Sequence, residues 1–353
     1  MVAVTPSAVI GIDVGGTRIK SAVITPTGAV LDELVSPTPE RIGDSIGSVV
    51  GGLVRAHLER LAARESAFDG VAAVGVVVPG VVDDVLGIGR YSSNLGWRDL
   101  DLRGHIESEL DLPLAVGHDV RAGLLAEHRF GAAVGADNVV FVPLGTGIAS
   151  AVLSGGRLLA DPRSGEIGHV MVRPDGPPCG CGARGCLETI ASARAIGRLF
   201  AQRLAVLSDT GSKTGSHTGS DTAAPSASGE PSAADVARLV EAATRGHDSA
   251  ASAVSAATGP AARPSERAAL EVWHEAVEAL ACVLAPIVVA LGTETVLIGG
   301  GLVRSGETLL LPLRRAVADR LGAGLTVDVR AAALGDRAGS LGAGVLALGV
   351  AGS

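Results

Sequence analysis

AVIGIDVGGTRIKSAVITPTGAVLDELV, residues 8–35, alternates β-branched runs with Gly and Pro punctuation. It reads as strand, turn, strand, turn, strand, a β-meander rather than a βαβ unit. Ser45 to Arg64 follows with Ile46, Val49, Val50, Leu53, Val54, Leu58 and Leu61 at helical spacing, and VAAVGVVVPGVVD then predicts a buried strand ending at Pro79-Gly80. The opening device recurs after Asn138, where VVFVPLGTGIASAVLSGGRLL again gives strand, Gly-Thr turn, strand and Gly-Gly turn. Alternating strands and helices with a repeated meander predict two related α/β domains facing each other across a cleft.

Composition limits the functions available to such a chain. At 353 residues and 47% hydrophobic content it can fill two cores, and with 2% aromatics those cores must be built from Ala, Val, Leu and Ile. So few aromatic side chains also leave little for stacking on single-stranded bases. A net charge of -8 without a Lys/Arg cluster argues against a nucleic-acid partner. The start MVAVTPSAVIGIDVGG has no basic leader, and the apolar stretch from Ala279 to Leu291 is too short to span a bilayer. A cytoplasmic protein without a membrane partner is expected. Two segments, Ser208 to Asp235 and Thr258 to Glu266, are rich in Ser, Thr, Gly, Ala and Pro and read as surface insertions. His217 in the first is expected to be a solvated loop residue.

The run GEIGHVMVRPDGPPCGCGARGCLET, residues 165–189, gathers three of the four cysteines, Cys179, Cys181 and Cys186, just after His169. Thiolates and an imidazole in one short segment suit tetrahedral Zn²⁺, and four protein ligands describe a structural site. Cys282, in an apolar helical run, is expected in the core. Asp13-Val14-Gly15-Gly16-Thr17, with Lys20 beyond, sets a carboxylate at a strand end before a glycine turn whose N–H groups can approach a phosphate. An ordinary Gly-Gly hairpin fits those residues equally well. Gly145-Thr146-Gly147 and Gly299-Gly300-Gly301 add two further turns.

Three glycine turns and the cysteine loop, in this order, resemble the ROK family (repressors, open reading frames and sugar kinases), within the actin-like ATPases. G-E-x-G-H followed by C-x-C-G-x-x-G-C-x-E, Gly165 to Glu188 here, is the most specific piece of the resemblance. It implies two actin-like (ribonuclease H-like) α/β domains flanking a cleft: residues 1–117, with the helix of 337–353 packing back, and residues 118–336, with the zinc loop 165–188 and the insertion 208–235. It implies ATP, Mg²⁺ and structural Zn²⁺ as cofactors, and a homodimer or homotetramer.

The same resemblance assigns roles. Asp119 in GHDVRAG would be the general base for the sugar 6-hydroxyl, although on sequence alone an N-cap for the following helix is the plainer role. Asn94, Glu166, His169 and Glu188 would bind sugar hydroxyls, with His169 also on zinc. Asp13 would hold Mg²⁺ through water. Gly15, Gly16, Thr17 and Lys20, with the turn Gly145-Thr146-Gly147, would lie by the phosphates, and Gly300 and Gly301 by the adenosine. Family kinases carry E-N-D-A-N where this chain has Gly117-His118-Asp119-Val120-Arg121. His118 therefore takes the place of an asparagine that helps bind a ring hydroxyl, and the GHDVR run with the LGTGIA turn resembles N-acetylglucosamine kinases, which makes N-acetylglucosamine the expected sugar, with glucose the alternative and polyphosphate open as donor. A transcription repressor would need a helix-turn-helix ahead of Asp13, and a silent sugar-binding protein would need Asp13 or Asp119 lost.

Overall fold

The computed structural model describes residues 8–63, 70–92, 94–211, 231–245 and 263–351. His217 and most of both predicted insertions lie outside them. Two compact units result, one of residues 1–137, 151–164 and 332–353, the other of 138–150 and 165–331.

In the first unit the predicted meander is β1 (Ala8–Val14), β2 (Arg18–Ile24) and β3 (Val30–Pro37), paired antiparallel. Then come α1 (Ile46–Ala62), β4 (Val71–Val78), a three-stranded antiparallel sheet of β5 (Val81–Asp83), β6 (Ile88–Ser92) and β7 (Trp97–Asp101), α2 (Leu102–Glu107), β8 (Leu114–His118) and α3 (Asp119–Phe130). The main sheet runs β3-β2-β1-β4-β8, with β4 parallel to β1 and β8 parallel to β4. Ile10, Ile12 and Val14 alternate onto one face, where they meet Ile42, Ile46 and Val50 at the start of α1 and just before it.

The other face packs against α3 and a helix from the chain's end, which is introduced below. The boundary expected after Gly117 falls instead after Asp137. β8 is hydrogen-bonded into the first sheet and α3 lies on it, so neither can open a second domain.

The second meander appears in chain order as β9 (Val139–Pro143), β10 (Ala151–Ser154) and β11 (Arg157–Leu158). The unit to which β9 belongs continues with α4 (Glu188–Ala191), α5 (Ala193–Gly211), α6 (Ala233–Thr244), α7 (Pro264–Leu291), β12 (Thr295–Gly299), α8 (Glu307–Ala318) and β13 (Asp328–Ala331). There β12 pairs in parallel with both β9 and β13. α6 opens with a capping box between Ser232 and Asp235, so the compositional insertion ends in regular helix.

α7 is 28 residues long, well beyond its apolar core stretch, and by length and mean hydropathy (1.8) alone could cross a membrane. Half of that window is buried, with Leu280, Leu284 and Trp273 packed inside, as in a core helix. Cys282 is exposed on α7, contrary to its expected core position. The buried stripe runs through Leu280, Ala281, Val283 and Leu284, and Cys282 falls on the opposite side.

The chain closes with α9 (Ala338–Val350), which packs on α3, β1 and β4 of the first unit. Contact there is backbone to backbone. A Cβ at Gly75 would stand 1.9 Å from the carbonyl oxygen of Ala343, and one at Gly342 would stand 2.1 Å from that of Ala122.

Candidate functional site

Because β1, β4 and β8 are parallel, their carboxyl ends lie at one edge of the sheet. Asp13 and Gly117 both pair with Val77, and His118 with Val78, which sets Asp13 and the start of α3 about 10 Å apart across two strand spacings. Ligands of open α/β sheets bind at this edge. Asp119 occupies the first turn of α3, and the N-cap is His118, whose Nδ1 accepts the N–H of Arg121 at 3.4 Å. The capping role open to Asp119 in the sequence therefore falls to its neighbour. Asp119 Oδ1 accepts the Val120 N–H at 2.7 Å, and His118 Nε2 stands 3.4 Å from the same oxygen.

Both carboxyls at this edge are pushed upward. Burial raises Asp119 to about 7, with the neighbouring Asp13 adding to it. Burial raises Asp13 to about 6 against the pull of Lys20, which faces it in the β1–β2 register. Burial, then Arg121, depresses His118 to about 3, so its ring is neutral. Asp13 lies against Gly339 in the first turn of α9, and the Lys20 ammonium donates to the Asp336 carbonyl at 3.0 Å.

The Gly15-to-Arg18 turn is closed by Gly15 N–H to Arg18 O, and its outer side is buttressed by Thr38, which donates from its hydroxyl to Gly15 O and from its N–H to Thr17 O. Asn94, in the β6–β7 turn, lies over Gly16. Asp13, Gly15, Gly16, Thr17, Lys20, Asn94, His118 and Asp119 thus belong to one edge of the first unit. Two carboxylates and a glycine turn there can hold a hydrated cation and a polyanion, with a basic oxygen beside them.

The second unit repeats the arrangement. β9 and β12 end side by side, so Gly145-Thr146-Gly147 and Gly300-Gly301 emerge at a common edge, linked by Leu144 N–H to Gly299 O at 2.9 Å and Leu302 N–H to Leu144 O at 3.1 Å. Gly301 and Leu302 line a cavity of about 420 Å³ together with Ala193, Ala233, Ala237 and Ser305. Small aliphatic side chains and hydroxyls, with the charged Arg238, Glu241 and Arg304 beside them, suit a planar heterocycle with a polar, charged rim.

Beside Gly147 stands Glu188, the first residue of α4, close enough that a Cβ on the glycine would meet Glu188 Oε2 at 2.9 Å. Glu188 Oε1 is 3.9 Å from His169 Nδ1, and His169 Nε2 is 3.7 Å from Glu166 Oε2. Three of the four residues expected to meet sugar hydroxyls, Glu166, His169 and Glu188, are therefore gathered, with Glu166 and His169 partly exposed.

His169, Cys179, Cys181 and Cys186 present ligand atoms all within 4.8 Å of one another. Bond lengths of about 2.3 Å to sulfur and 2.0 Å to nitrogen in a tetrahedron put ligand atoms roughly 3.5–3.8 Å apart. Cys181 Sγ to Cys186 Sγ is 3.7 Å and Cys179 Sγ to His169 Nδ1 is 3.5 Å, so the donor set fits zinc. The loop reaches this shape through a tight turn from Cys179 to Ala183, closed by Cys179 N–H to Ala183 O at 2.8 Å. Gly185 has φ +64°, and any Cβ there would collide with the Arg173 carbonyl, so this position admits only glycine. Burial pushes the Cys186 thiol up to about 12, while the Ala183 N–H and the Cys179 side chain lower Cys181.

Two constellations escape the sequence. Arg121 is buried and binds Asp84 through Nε at 3.0 Å and Nη2 at 2.7 Å, with Nη2 also donating to Val82 O at 2.9 Å. A basic residue so near Asp119 inside an apolar helix was the available signal. Ser21, His57 and Asp32 form the other, with Ser21 Oγ to His57 Nε2 and His57 Nδ1 to Asp32 Oδ2 both 2.8 Å. All three are buried, and the set staples α1 to β2 and β3 rather than exposing a nucleophile.

The ROK family matches residues 9–350, and the chain belongs to it. It is 32% identical to the glucokinase of Halalkalibacterium halodurans over 344 residues, 96% of this chain and 94% of that protein. With the N-acetylmannosamine kinase of Escherichia coli it shares 34% over 205 residues, 56% of this chain and 65% of the other. Among solved structures, the ROK family glucokinase of Streptomyces griseus in complex with glucose and AMPPNP superposes with a TM-score of 0.67 at 29% identity, covering 97% of this chain and all of that one. The architecture is that of the two-domain, actin-like ROK kinases.

Proposed function

We propose that this protein is a sugar kinase that transfers the terminal phosphoryl group of ATP to the 6-hydroxyl of a hexose, with Asp119 as general base. The observation that carries it is Asp119 at the carboxyl edge of the first sheet, beside Asp13 and the Gly15–Thr17 turn and raised to about 7. Its Oδ1 is engaged by the Val120 N–H, which leaves Oδ2 to take the hydroxyl proton. A base of that strength is matched to neutral pH. Asn94, Glu166, His169 and Glu188 orient the sugar, and carboxylates suit the task because each accepts from two hydroxyls. Mg²⁺, bound with ATP, supplies charge neutralisation at the phosphates, and Asp13 is the residue placed to hold its hydration shell. Gly145, Thr146 and Gly147 approach the phosphates, and the cavity beside Gly301 takes the adenosine. Zn²⁺ on His169 Nδ1 and the three thiolates would leave His169 Nε2 aimed past Glu166 toward the sugar, fixing the ring's tautomer.

Glucose is the first substrate we propose, because the full-length relatives named above are glucokinases. N-acetylglucosamine is the second, favoured by the resemblance of the Gly117–Arg121 run and the Leu144–Ala149 turn to N-acetylglucosamine kinases. Coupled ADP release over glucose, N-acetylglucosamine, N-acetylmannosamine, mannose and fructose separates them. Glucose is expected to show the highest kcat/KM, preference for an N-acetylated sugar would select the second reading, and no turnover on any would refute sugar phosphorylation.

A further inference from the structure

We propose that Arg121 is a positioning residue for the reaction, tying the helix that begins at Asp119 to the three-stranded sheet whose β6–β7 turn carries Asn94. The proposal rests on Asp119 being the base. Arg121 is 3% exposed, and its guanidinium grips both oxygens of Asp84 and the carbonyl of Val82. Asp84 directly follows β5, which pairs with β6, and β6 with β7. One side chain thus joins the element holding the base to the element holding a sugar ligand, and Asn94 in turn lies over the phosphate turn at Gly16.

Stability does not call for such a pair. Burying Arg121 and half-burying Asp84 costs desolvation that their attraction roughly offsets, and a well-packed apolar side chain would hold as well. α3 already has other anchors. It packs along α9, and Glu127 near its end accepts the N–H groups of Ala132, Ala333 and Leu334. What the pair adds is direction. Arginine's planar fork fixes two parallel bonds to one carboxylate, which an apolar contact or a lysine cannot do.

The neighbouring departure from the family pattern belongs to the same device. The Arg121 N–H donates to His118 Nδ1, so the neutral ring carries its proton on Nε2, 3.4 Å from Asp119 Oδ1. His118 therefore faces the base rather than standing free for a ring hydroxyl, and it is 7% exposed. The histidine and the arginine that replace two asparagines of E-N-D-A-N both act on Asp119.

The experiment compares Arg121→Met, Asp84→Leu, the double variant, Arg121→Lys and Asp119→Asn by melting temperature, by kcat and KM for the best sugar, and by the pH profile of kcat/KM. Each single apolar variant leaves a charge unpaired, buried in Asp84→Leu and half-buried in Arg121→Met, and is expected to melt lower, with the double variant melting near wild type. Misaiming a reacting group by an ångström costs on the order of 100-fold, so kcat of the double variant should fall about 10- to 100-fold with a several-fold rise in sugar KM. In Arg121→Met the acid limb should move to higher pH, since burial and Asp13 raise Asp119 while Arg121 lowers it, and removing that cation beside Asp119 and His118 favours the protonated base. Arg121→Lys should keep the limb in place yet stay slow. If the double variant melts and turns over like wild type while Asp119→Asn is inactive, Arg121 has no positioning role. If Asp119→Asn is itself active, the base assignment falls, and this inference with it.

Discussion

Burial disfavours the charge on Asp13 and Asp119, and its effects on function and on stability have opposite signs. As a base, Asp119 must be ionised, so kcat/KM is expected to fall tenfold per pH unit below about 7, the value to which burial and Asp13 raise it. Asp119→Asn should lower kcat by about 10²–10⁴-fold with sugar KM changed only a few-fold. Single-turnover and steady-state kinetics would show it, and near-wild-type kcat would rule this base out. For stability, a carboxyl raised in the folded state binds its proton more tightly there than in the unfolded chain. The ligand-free protein is therefore favoured below the ordinary carboxylate range and loses that advantage as pH climbs through about 6 for Asp13. Asp13→Asn should raise the melting temperature at pH 8 and leave it nearly unchanged at pH 4. Added Mg²⁺ with nucleotide should stabilise wild type at pH 8 and the variant much less, which a thermal-shift series in both proteins would test.

Among the elements, the cysteine loop would, under the proposed function, tie metal to sugar recognition. Its thiols must lose protons to bind zinc, and Cys186, pushed up to about 12, is the hardest to ionise. Zinc affinity should accordingly fall as pH drops. Elemental analysis should give one zinc per chain at pH 8, and Cys181→Ser or chelation should remove it and weaken sugar binding by roughly tenfold or more, the scale set by ligand-orienting groups. Metal-free protein with undiminished sugar affinity, measured by calorimetry, would separate the loop from the substrate. This loop could be read from the sequence because its ligands are local and chemically unambiguous. The two meanders could be read for the same reason, since β-branched runs and Gly-Pro punctuation are contiguous signals. Arg121 with Asp84, and Ser21 with His57 and Asp32, could not be, because each joins residues 25 or more positions apart whose meeting depends on strand order. The domain boundary was misplaced on similar grounds: the pairing of β8, which ends at His118, into the first sheet joins strands far apart in sequence.

At the scale of the whole chain, the first unit is completed last. α9 covers the face of the sheet formed by β1 and β4, joining Val9, Ala22, Ile24 and Ala73 with Leu341 and Ala347, and its first turn supplies Gly339 against Asp13. Phe130 of α3 and Leu334, just ahead of α9, pack against the same cluster, so folding of the edge that carries Asp13 depends on residues some 325 positions downstream of it. Long-range closure of this kind raises contact order and slows folding. Two substitutions separate packing from helix propensity. Gly349→Ala, on the open side of α9, adds a methyl group to empty space and should leave stability unchanged or slightly raised. Gly342→Ala, where the Cβ would stand 2.1 Å from the Ala122 carbonyl, gains the same propensity but must push α9 off α3. It is expected to lose roughly 1–3 kcal/mol, the usual scale of overpacking. Because α3 begins at Asp119, the shift should also lower kcat while leaving zinc content untouched. Urea unfolding with parallel kinetics and metal analysis would measure all three. A Gly342→Ala protein as stable and active as Gly349→Ala would show that α9 is free to move away from the base.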